Sequence, residues 1–510
     1  MSNLSLFDTG PAPACPTPFN MAAYIMAAGL ANPDKIAIEI LSQHGVETWS
    51  YDELWSAVRA TAGALQAMGL PPQSRIMLRL GNDIRFPILF LAAIWAGLVP
   101  VPTSSELTEP EVAAMIAEVQ PSLICVGDGV APPKAPPCPM MLAPQIKSAA
   151  EHSFGKVVMG DPSQMAYIVY TSGNSGRPHA VCHAHRAIWA RRMMWQDWMG
   201  LTPQDRLLHA GAFNWTYTLG TGLCDPWAIG ATSLVAAPDL DRAALAQAIK
   251  TRDVSIFAAV PGVYRQILKL KMPLEFPRLR HCLSAGEKLG GKIRQEWEAR
   301  SNRLIHEAFG MTELSTFISA SPEHPATGAH LGRPQSGRSI AVLDPETRHP
   351  VPFGKPGTLA VSKSDPGLML GYLGQKPVGK SRPDDRWFLT GDTVSMEASG
   401  WITYLGRNHD MMNAGGYRVS PIEVETVLNT HPDIIQSACA AVEIKADTFV
   451  IAAFYQSGIE LAPDELARFC SGRLARYKCP RVFRRLDSLP TGTNGKLRRR
   501  ELARLFKDMT

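Results

Sequence analysis

A run of small and hydroxyl-bearing residues follows an apolar segment in the first half of the chain. The run comprises Thr171, Ser172, Gly173, Asn174, Ser175 and Gly176. Backbone N–H groups in such a loop can converge on phosphate oxygens, and the hydroxyl groups add further donors. Arg177 and Pro178 come next, so the loop is not a Walker A sequence, which requires a Lys-Ser/Thr pair. Its composition alone fits a solvated turn as well as it fits an anion site.

Four later segments contain residue types that could do related chemistry. They read "HEAFGMTE", "FLTGD", "GRNHDMMNAGGYRVSPIEVE" and "PTGTNGKLRRREL". Singly, each has an ordinary structural interpretation, such as a turn, a surface arginine or a solvated lysine. In this order, together with the glycine loop, they resemble the adenylate-forming superfamily of acyl- and aryl-CoA ligases, peptide-synthetase adenylation domains and luciferases. The resemblance runs from about Ala166 to Leu502, and "TPFNMAAYIM" near the N-terminus resembles the start of benzoate-type CoA ligases.

The resemblance implies an AMP-forming acid–thiol ligase that uses ATP, Mg²⁺ and CoA. In such enzymes a carboxylate attacks the α-phosphate of ATP, and the acyl-adenylate then reacts with CoA. Cations and oriented dipoles are needed because two anions must be held together. The ATP/AMP-binding residues that the resemblance implies are Thr171, Ser172, Gly173, Asn174, Ser175, Gly176, Gly286, Glu287, Ala308, Phe309, Gly310, Met311, Thr312, Asp392 and Arg407.

Three of the implied residues would act directly on the reacting groups. Lys496 resembles the family's catalytic lysine, whose ammonium would offset the charge that develops between the acid and the α-phosphate. Thr312 would donate to the α-phosphate, and Glu313 would be the Mg²⁺ ligand. Phe309 would stack on adenine, and Asp392 would accept hydrogen bonds from the ribose hydroxyls.

The chain departs from the family pattern at two histidines. His179 stands where the family usually has a lysine, and a neutral imidazole does not supply a fixed positive charge. We expect that lysine to be dispensable here, because the other motifs are intact. His409 stands at the family's hinge position, which usually holds Asp or Lys, and a hinge requires conformational tolerance more than a particular charge.

The same resemblance implies which residues bind the two other substrates, CoA and the carboxylic acid. The implied CoA tunnel comprises Gly415, Gly416 and Tyr417, and the implied acid pocket comprises Asn214, Trp215, Tyr217, Ala285 and Gly310. Amino-acid-activating relatives carry an aspartate near the position of Asn214, so an amino acid substrate is disfavoured. The aromatic side chains favour an aryl or short-chain acid, although they fit an ordinary core as well.

Alternating strands and helices are predicted to position these residues. "DVSIFAAV", "RHCLSAGE" and "RLIHEAFG" are typical of strands, and helical patterns separate them. This order favours βαβ units in a largely parallel sheet, whose ligands lie at the carboxyl ends of the strands. The glycine loop, "SAGE" and "AFGMTE" would all lie at such ends. We therefore predict an α/β fold. Residues 1–406 would form a large ATP- and acid-binding domain of mostly parallel sheets flanked by helices, and residues 407–510 a small mobile α+β domain that carries the catalytic lysine.

Composition narrows the class of protein further. The 510 residues are 45% hydrophobic and 19% charged, which is typical of globular proteins. Nine cysteines without a C-x-x-C pair indicate neither a disulfide framework nor a zinc ribbon, so we expect reduced thiols and a cytoplasmic location. The N-terminal segment does not resemble a signal peptide, and no apolar stretch is long enough to span a membrane.

Charge is concentrated at the C-terminus, where residues 473–510 hold twelve Lys/Arg against three Asp/Glu. This asymmetry fits the phosphates of CoA, an acidic carrier protein or a solvated surface, whereas nucleic acid is disfavoured because few aromatic residues are interleaved. Two alternatives to a CoA ligase stay open: an aryl-acid adenylation enzyme that loads an acyl carrier protein, and a nucleotide-binding protein without turnover. We expect a monomer or a homodimer.

Overall fold

The structure is a computed structural model that describes residues 3–171, 178–378, 385–408, 410–414, 417–445, 448–491 and 497–508. The α-helices in these ranges are α1 (Met21–Ala27), α2 (Tyr51–Ala67), α3 (Arg85–Trp95), α4 (Glu109–Val119), α5 (Ala143–Ala149), α6 (Arg186–Met194), α7 (Asp225–Ala228), α8 (Arg242–Thr251), α9 (Pro261–Leu268), α10 (Gly291–Ser301), α11 (Pro421–Leu428), α12 (Pro463–Ser471) and α13 (Arg499–Asp508). Short 3₁₀ segments lie at Ala28–Ala31 and Arg476–Lys478, and π-helical segments at Trp195–Met199 and Thr218–Cys224.

The strands are β1 (Leu6–Asp8), β2 (Ile36–Ser42), β3 (Gly45–Ser50), β4 (Arg75–Arg79), β5 (Val99–Thr103), β6 (Leu123–Val126), β7 (Met140–Leu142), β8 (Met165–Tyr170), β9 (Ala180–Ala184), β10 (Arg206–His209), β11 (Thr232–Ala236), β12 (Ile256–Ala259), β13 (His281–Ser284), β14 (Ile305–Met311), β15 (Ser315–Ser319), β16 (His330–Pro334), β17 (Ser339–Leu343), β18 (Gly357–Ser362), β19 (Gly371–Tyr372), β20 (Trp387–Met396), β21 (Ile402–Arg407), β22 (Met412–Ala414), β23 (Tyr417–Val419), β24 (Gln436–Lys445), β25 (Thr448–Gln456) and β26 (Val482–Arg485).

The largest sheet has the order β1-β17-β18-β20-β21-β16-β15-β14-β13-β12-β10-β11-β2-β3. Pairing is parallel from β14 to β2 and antiparallel on the other side of β14. β14 therefore belongs to both halves, since its first residues pair with β13 and its last residues with β15. The chain segment from Ala308 to Glu313 thus lies where the two kinds of pairing meet.

The predicted α/β class is confirmed, and so are the strands and helices between 253 and 311. Local signals explain where helices begin: α9 begins at Pro261, and in the N-terminal part of the chain α2 begins at a capping box formed by Ser50 and Glu53. One expectation was wrong. The glycine loop does not follow a strand of the parallel sheet but joins β8 to β9, which pair antiparallel in a separate sheet with the order β19-β9-β8.

A third sheet has the order β5-β4-β6-β7. It contains the apolar segment of β5 in which Pro100 and Pro102 alternate with valines. Helix α3 leads into β5, whose Pro100 and Pro102 lie on the edge strand of this sheet. Proline is tolerated there because an edge strand leaves part of its backbone N–H positions outside the ladder. Valines of β5 pack against β8, which positions the strand that enters the glycine loop.

The C-terminal part contains β24, β25 and β26 with the helices α11, α12 and α13. Its own buried cluster includes Val424, Leu428 and Phe483. Ser420 caps α11 and also donates to the Leu405 carbonyl of β21, so the start of this part is joined to the large sheet. The predicted boundary between residues 406 and 407 falls at the last residue of β21. No helix within the described ranges is both long and apolar enough to cross a membrane.

Candidate active site

The ends of the glycine loop are tied together at its base. The Thr171 N–H donates to the His179 carbonyl at 3.0 Å, and the His179 N–H donates to Thr171 Oγ1 at 3.2 Å. Two reciprocal hydrogen bonds thus close the loop where β8 ends and β9 begins. Ser172, Gly173, Asn174, Ser175 and Gly176 lie outside the described residues.

His179 contacts a tyrosine that reaches the predicted magnesium ligand. The rings of His179 and Tyr372 lie 5.2 Å apart at 45°. The Tyr372 hydroxyl donates to Glu313 Oε1 at 2.8 Å, and burial together with this carboxylate raises the pKa of Tyr372. The base of the glycine loop and the Glu313 carboxylate are therefore neighbours, joined by one side chain.

Thr312 and Glu313 follow the last residue of β14 and precede β15. Their backbones are fixed from two sides: the Met369 N–H donates to the Glu313 carbonyl at 2.8 Å, and His183 Nε2 lies 2.8 Å from the Thr312 carbonyl. Gly310 allows the tight approach of β15, because a Cβ there would lie 2.5 Å from the Ser315 carbonyl oxygen. Only glycine lets the two strands approach this closely.

Asp392 and Arg407 face each other on neighbouring antiparallel strands. They are register partners of β20 and β21, and Arg407 Nε lies 3.1 Å from Asp392 Oδ1. The Tyr404 hydroxyl also donates to Asp392 Oδ1, at 3.0 Å, and the Tyr404 ring lies 5.5 Å from the ring of Phe309. Residues predicted for adenine and for ribose therefore form one contact chain, and Asp392 lies inside a strand rather than in a turn.

The other predicted nucleotide-binding residues lie around this chain. Ala308 and Met311 belong to β14, with Ala308 buried and Met311 half-buried. Gly286 and Glu287 follow β13, and Gly286 has φ +92°, a left-handed conformation that favours glycine. They lie at the carboxyl end of a parallel strand, as the sequence pattern predicted.

The predicted acid-pocket residues divide into two groups. Tyr217 and Ala285 share one buried apolar cluster with Ala308, and the Tyr217 hydroxyl donates to the Leu283 carbonyl at 3.3 Å. Asn214 and Trp215 lie half-exposed in the turn before the π-helical segment Thr218–Cys224. Short π-helical turns are frequent at functional sites, because they redirect side chains.

A small cavity of about 20 Å³ adjoins Thr312. The polar residues of its lining come from several elements: Tyr167, His183, Arg191, Thr216, Thr312 and Ser315. Thr216 belongs to the segment predicted to hold the acid, and Thr312 to the segment predicted to hold the α-phosphate. The cavity thus lies between the two predicted subsites.

Several predicted residues cannot be placed. Lys496, His409, Gly415 and Gly416 lie outside the described residues, and Tyr417 is described only as the first residue of β23. Within the described ranges, no group of three or more His, Cys, Asp or Glu side chains forms a metal site. A single carboxylate such as Glu313 fits Mg²⁺ nonetheless, since this ion is commonly held by one or two carboxylates and the phosphates of a substrate.

Three residues at the site were not found from the sequence. Tyr372, Tyr404 and His183 contact predicted residues from β19, β21 and β9. Each is a lone aromatic or imidazole side chain in an apolar strand, a pattern that core residues share. Their positions depend on strand pairings between distant parts of the chain, which spacing along the sequence does not reveal.

Comparison with known proteins gives consistent matches over most of the chain. The family model described as AMP-binding enzyme matches residues 27–373, and the model described as AMP-binding enzyme C-terminal domain matches residues 423–496. The chain is 28% identical to the benzoate–CoA ligase of Thauera aromatica, over 98% of this chain and 99% of that protein.

Two solved structures are also similar to this chain over nearly its whole length. The ATP-bound MatB of Rhodopseudomonas palustris is 25% identical, with a TM-score of 0.87 over 96% of this chain and 99% of that one. A benzoate CoA ligase of Burkholderia xenovorans LB400 is 26% identical, with a TM-score of 0.83 over 95% of this chain and 100% of that one.

Proposed function

This chain belongs to the AMP-binding enzyme family, and from that premise we propose that it is an ATP-dependent carboxylic acid–CoA ligase acting through an acyl-adenylate. The observation that carries the proposal is the continuity of the candidate site. Phe309, Tyr404 and Asp392 form one contact chain, and Glu313 and Tyr372 reach the base of the glycine loop. A nucleoside triphosphate needs an aromatic face, ribose acceptors and phosphate donors in this order.

The proposed nucleotide site assigns one part of the nucleotide to each group of residues. Phe309 covers the adenine, Asp392 and Arg407 hold the ribose, and the loop from Thr171 to Gly176 donates to the β- and γ-phosphates. Glu313 would hold Mg²⁺, which supplies positive charge to the phosphates when bound. Thr312 donates to an α-phosphate oxygen, where negative charge increases as the acid attacks.

In the first half-reaction an oxygen of the acid's carboxylate forms a bond to the α-phosphorus. The bond from that phosphorus to the bridging oxygen breaks, and pyrophosphate leaves. We propose Lys496 as the residue whose ammonium lies between the two anions. Removing a group that acts in this way typically costs two to three orders of magnitude in rate.

In the second half-reaction the CoA sulfur attacks the acyl carbon, AMP leaves and the thiol proton passes to solvent. We propose that the unit of residues 407–510 turns about His409 between the steps, and that Gly415, Gly416 and Tyr417 admit the pantetheine arm. The basic residues of 473–510 suit the phosphates of CoA. Because all nine cysteines are free thiols, we also propose a reducing compartment, the cytoplasm.

The acid is proposed to be an aryl or short-chain carboxylic acid. Tyr217 and Trp215 offer flat apolar surfaces, and Tyr217 packs with Ala285 and Ala308 in one buried cluster. Asn214 is neutral and cannot pair with the ammonium group of an amino acid as a carboxylate would.

The test is acid-dependent exchange of labelled pyrophosphate into ATP, followed by addition of CoA or of a carrier protein. The proposal expects exchange with a subset of aryl and short acids, and rapid AMP release when CoA is added. Release with a carrier protein but not with CoA would instead identify a carrier-loading enzyme. ATP binding without exchange for any acid in a broad panel would identify a protein without turnover.

A further inference from the structure

The segment predicted to hold the acid begins with a turn, residues 212–215, that follows β10. The Trp215 N–H donates to the Ala212 carbonyl at 3.0 Å, and the side chains of Asn214 and Trp215 are half-exposed. Phe213 is only 1% exposed, and its ring lies 5.3 Å from the ring of Phe86 in α3. The turn is thus anchored in the core at one residue, while its next two residues remain accessible.

Asn82 binds the backbone of this turn with both of its polar groups. It lies in the loop between β4 and α3. Its Oδ1 accepts from the Phe213 N–H at 2.8 Å, and its Nδ2 donates to the Gly211 carbonyl at 2.8 Å and to the Ala236 carbonyl, at the end of β11, at 3.0 Å. Both hydrogens of the amide nitrogen are used. One side chain therefore joins the predicted acid turn to the loop of another sheet.

The loop that presents Asn82 is itself fixed by the residues that follow. Asp83 Oδ1 accepts from the Arg85 N–H at 2.8 Å and from Arg85 Nε at 3.0 Å. Arg85 Nη1 lies 2.7 Å from Asp128 Oδ2, and Ile84 is buried. A side chain that is supported in this way can determine where its partner lies.

Resting on the proposed function, we infer that Asn82 is a positioning residue for the acid. Its amide keeps the turn where Asn214 and Trp215 contact the acid, and it acts through the turn rather than by touching the acid. A turn that had to be ordered first would lower the apparent affinity by the fraction of molecules that hold it ready. Asn82 therefore sets the affinity for the acid, whereas the residues proposed for ATP lie on other segments.

The experiment measures pyrophosphate exchange without CoA and determines KM separately for the acid and for ATP. The acids are a panel of aryl and short-chain acids that includes benzoate and butyrate. Asn82→Asp keeps the shape of the side chain and the acceptor for the Phe213 N–H, but it loses both donors. Its KM for the acid should rise about ten- to a hundredfold, because a misplacement of about 1 Å costs on this scale. Its KM for ATP should change less than about twofold, since no contact with ATP is lost.

Three other variants separate positioning from folding. Asn82→Ala removes all three hydrogen bonds and should act in the same direction, whereas Asn82→Gln keeps a donor and an acceptor and should restore part of the affinity. Gln66→Ala is the matched control. Gln66 is also half-buried, and its amide donates to the Lys156 carbonyl at 2.7 Å and accepts from the Lys156 N–H at 3.1 Å, in a segment without predicted site residues. This control should leave both KM values unchanged, and thermal unfolding verifies that each variant is folded at the assay temperature.

A double-mutant cycle tests whether Asn82 acts through the turn. Once Trp215→Ala has removed the indole, Asn82→Asp should raise the KM for the acid by less than about threefold, because two residues that act as one unit are not independent. Effects of the two substitutions that simply multiply would show that Asn82 does not act on this turn, and would overturn the inference.

The remaining outcomes are distinct. An unchanged KM for the acid in Asn82→Asp would overturn the inference and leave the proposed function in place, as would equal rises in KM for the acid and for ATP. No exchange by the wild type with any acid would overturn the proposed function and this inference with it.

Discussion

At the scale of single residues, Tyr372 contacts the predicted magnesium ligand: its hydroxyl donates a hydrogen bond to Glu313 Oε1 at 2.8 Å. Tyr372→Phe should leave the carboxylate free to turn. We expect the Mg²⁺ concentration for half-maximal pyrophosphate exchange to rise about five- to tenfold. This factor corresponds to the loss of one hydrogen bond to a carboxylate, which contributes roughly 1 kcal/mol. Titrating Mg²⁺ at fixed ATP and acid measures this.

The control for this variant is Tyr264→Phe, which removes a buried hydroxyl that binds the Phe257 and Leu283 carbonyls instead. It should lower stability without changing the dependence on Mg²⁺. Equal Mg²⁺ curves for Tyr372→Phe and the wild type would show that this hydroxyl does not position Glu313.

Lys496 is predicted to act in only one half-reaction. Lys496→Ala should slow adenylate formation by about two to three orders of magnitude, because the lost ammonium stabilises charge that develops only in that step. Thioester formation from supplied acyl-adenylate should fall by less than about tenfold, a small part of that cost. Single-turnover assays of both steps check this, and equal losses would contradict the assigned role.

For His179, the residue type alone predicts an effect on ATP binding. A histidine in place of lysine indicates a lost charge, and His179→Lys is expected to keep or improve ATP binding by restoring it. The structure adds a ring contact with Tyr372 that this variant removes. A measured dissociation constant for ATP that is unchanged or lower supports the expectation, whereas a variant that no longer binds ATP would give the histidine a role of its own.

Among the elements, β14 contributes most to the position of the candidate site. Its first residues pair parallel with β13, and its last residues, which include Phe309 and Gly310, pair antiparallel with β15. Gly310→Ala would place a Cβ 2.5 Å from the Ser315 carbonyl and 2.7 Å from Thr316 Cα. Backbone atoms cannot move aside as a side chain can, so we expect a loss of about 1–3 kcal/mol in the free energy of unfolding. Denaturant titration measures it.

Gly262→Ala is the matched control for that substitution. Gly262 lies in α9, and a Cβ there meets no atom within 4 Å. Alanine is the better helix former, so this variant should be neutral or slightly more stable. Similar losses for the two variants would show that the close approach at Gly310 is not limiting.

The strands and helices also differ in how well the sequence predicts them. Apolar runs and helix-start residues predicted β12, α9, β13, α10 and β14, because these depend on neighbouring residues. The family resemblance indicated by the motifs is confirmed. The antiparallel pairing of β8 with β9, and the approach of Tyr372 from β19, depend on contacts between distant segments. No local pattern specifies such contacts.

For the whole molecule, buried neutral histidines predict sensitivity to acid. Burial lowers the pKa of five of them from 6.5 to between about 3 and about 4: His183, His185, His209, His281 and His306. Below pH 6.5 the unfolded chain binds protons that the folded chain does not, so stability falls as pH falls. Each histidine contributes up to about 1.4 kcal/mol per pH unit in this window.

Thermal unfolding between pH 7.5 and 4.5 tests this prediction. The Tm should fall steeply from about pH 6.5 downward, well above the range in which carboxylates with lowered pKa values, such as those of Asp8 and Glu397, take up protons. A Tm that stays constant down to pH 5 would mean that these histidines are not held neutral in solution.

The central claim is that the acid's carboxylate attacks the α-phosphorus of ATP, and an isotope measures it most directly. The acid is labelled with ¹⁸O in its carboxylate and converted with ATP and CoA, and AMP is then examined by mass spectrometry. The account predicts that each AMP carries one ¹⁸O atom, because the carboxylate oxygen that formed the bond to phosphorus leaves with AMP. Unlabelled AMP, or ADP together with labelled inorganic phosphate, would contradict it.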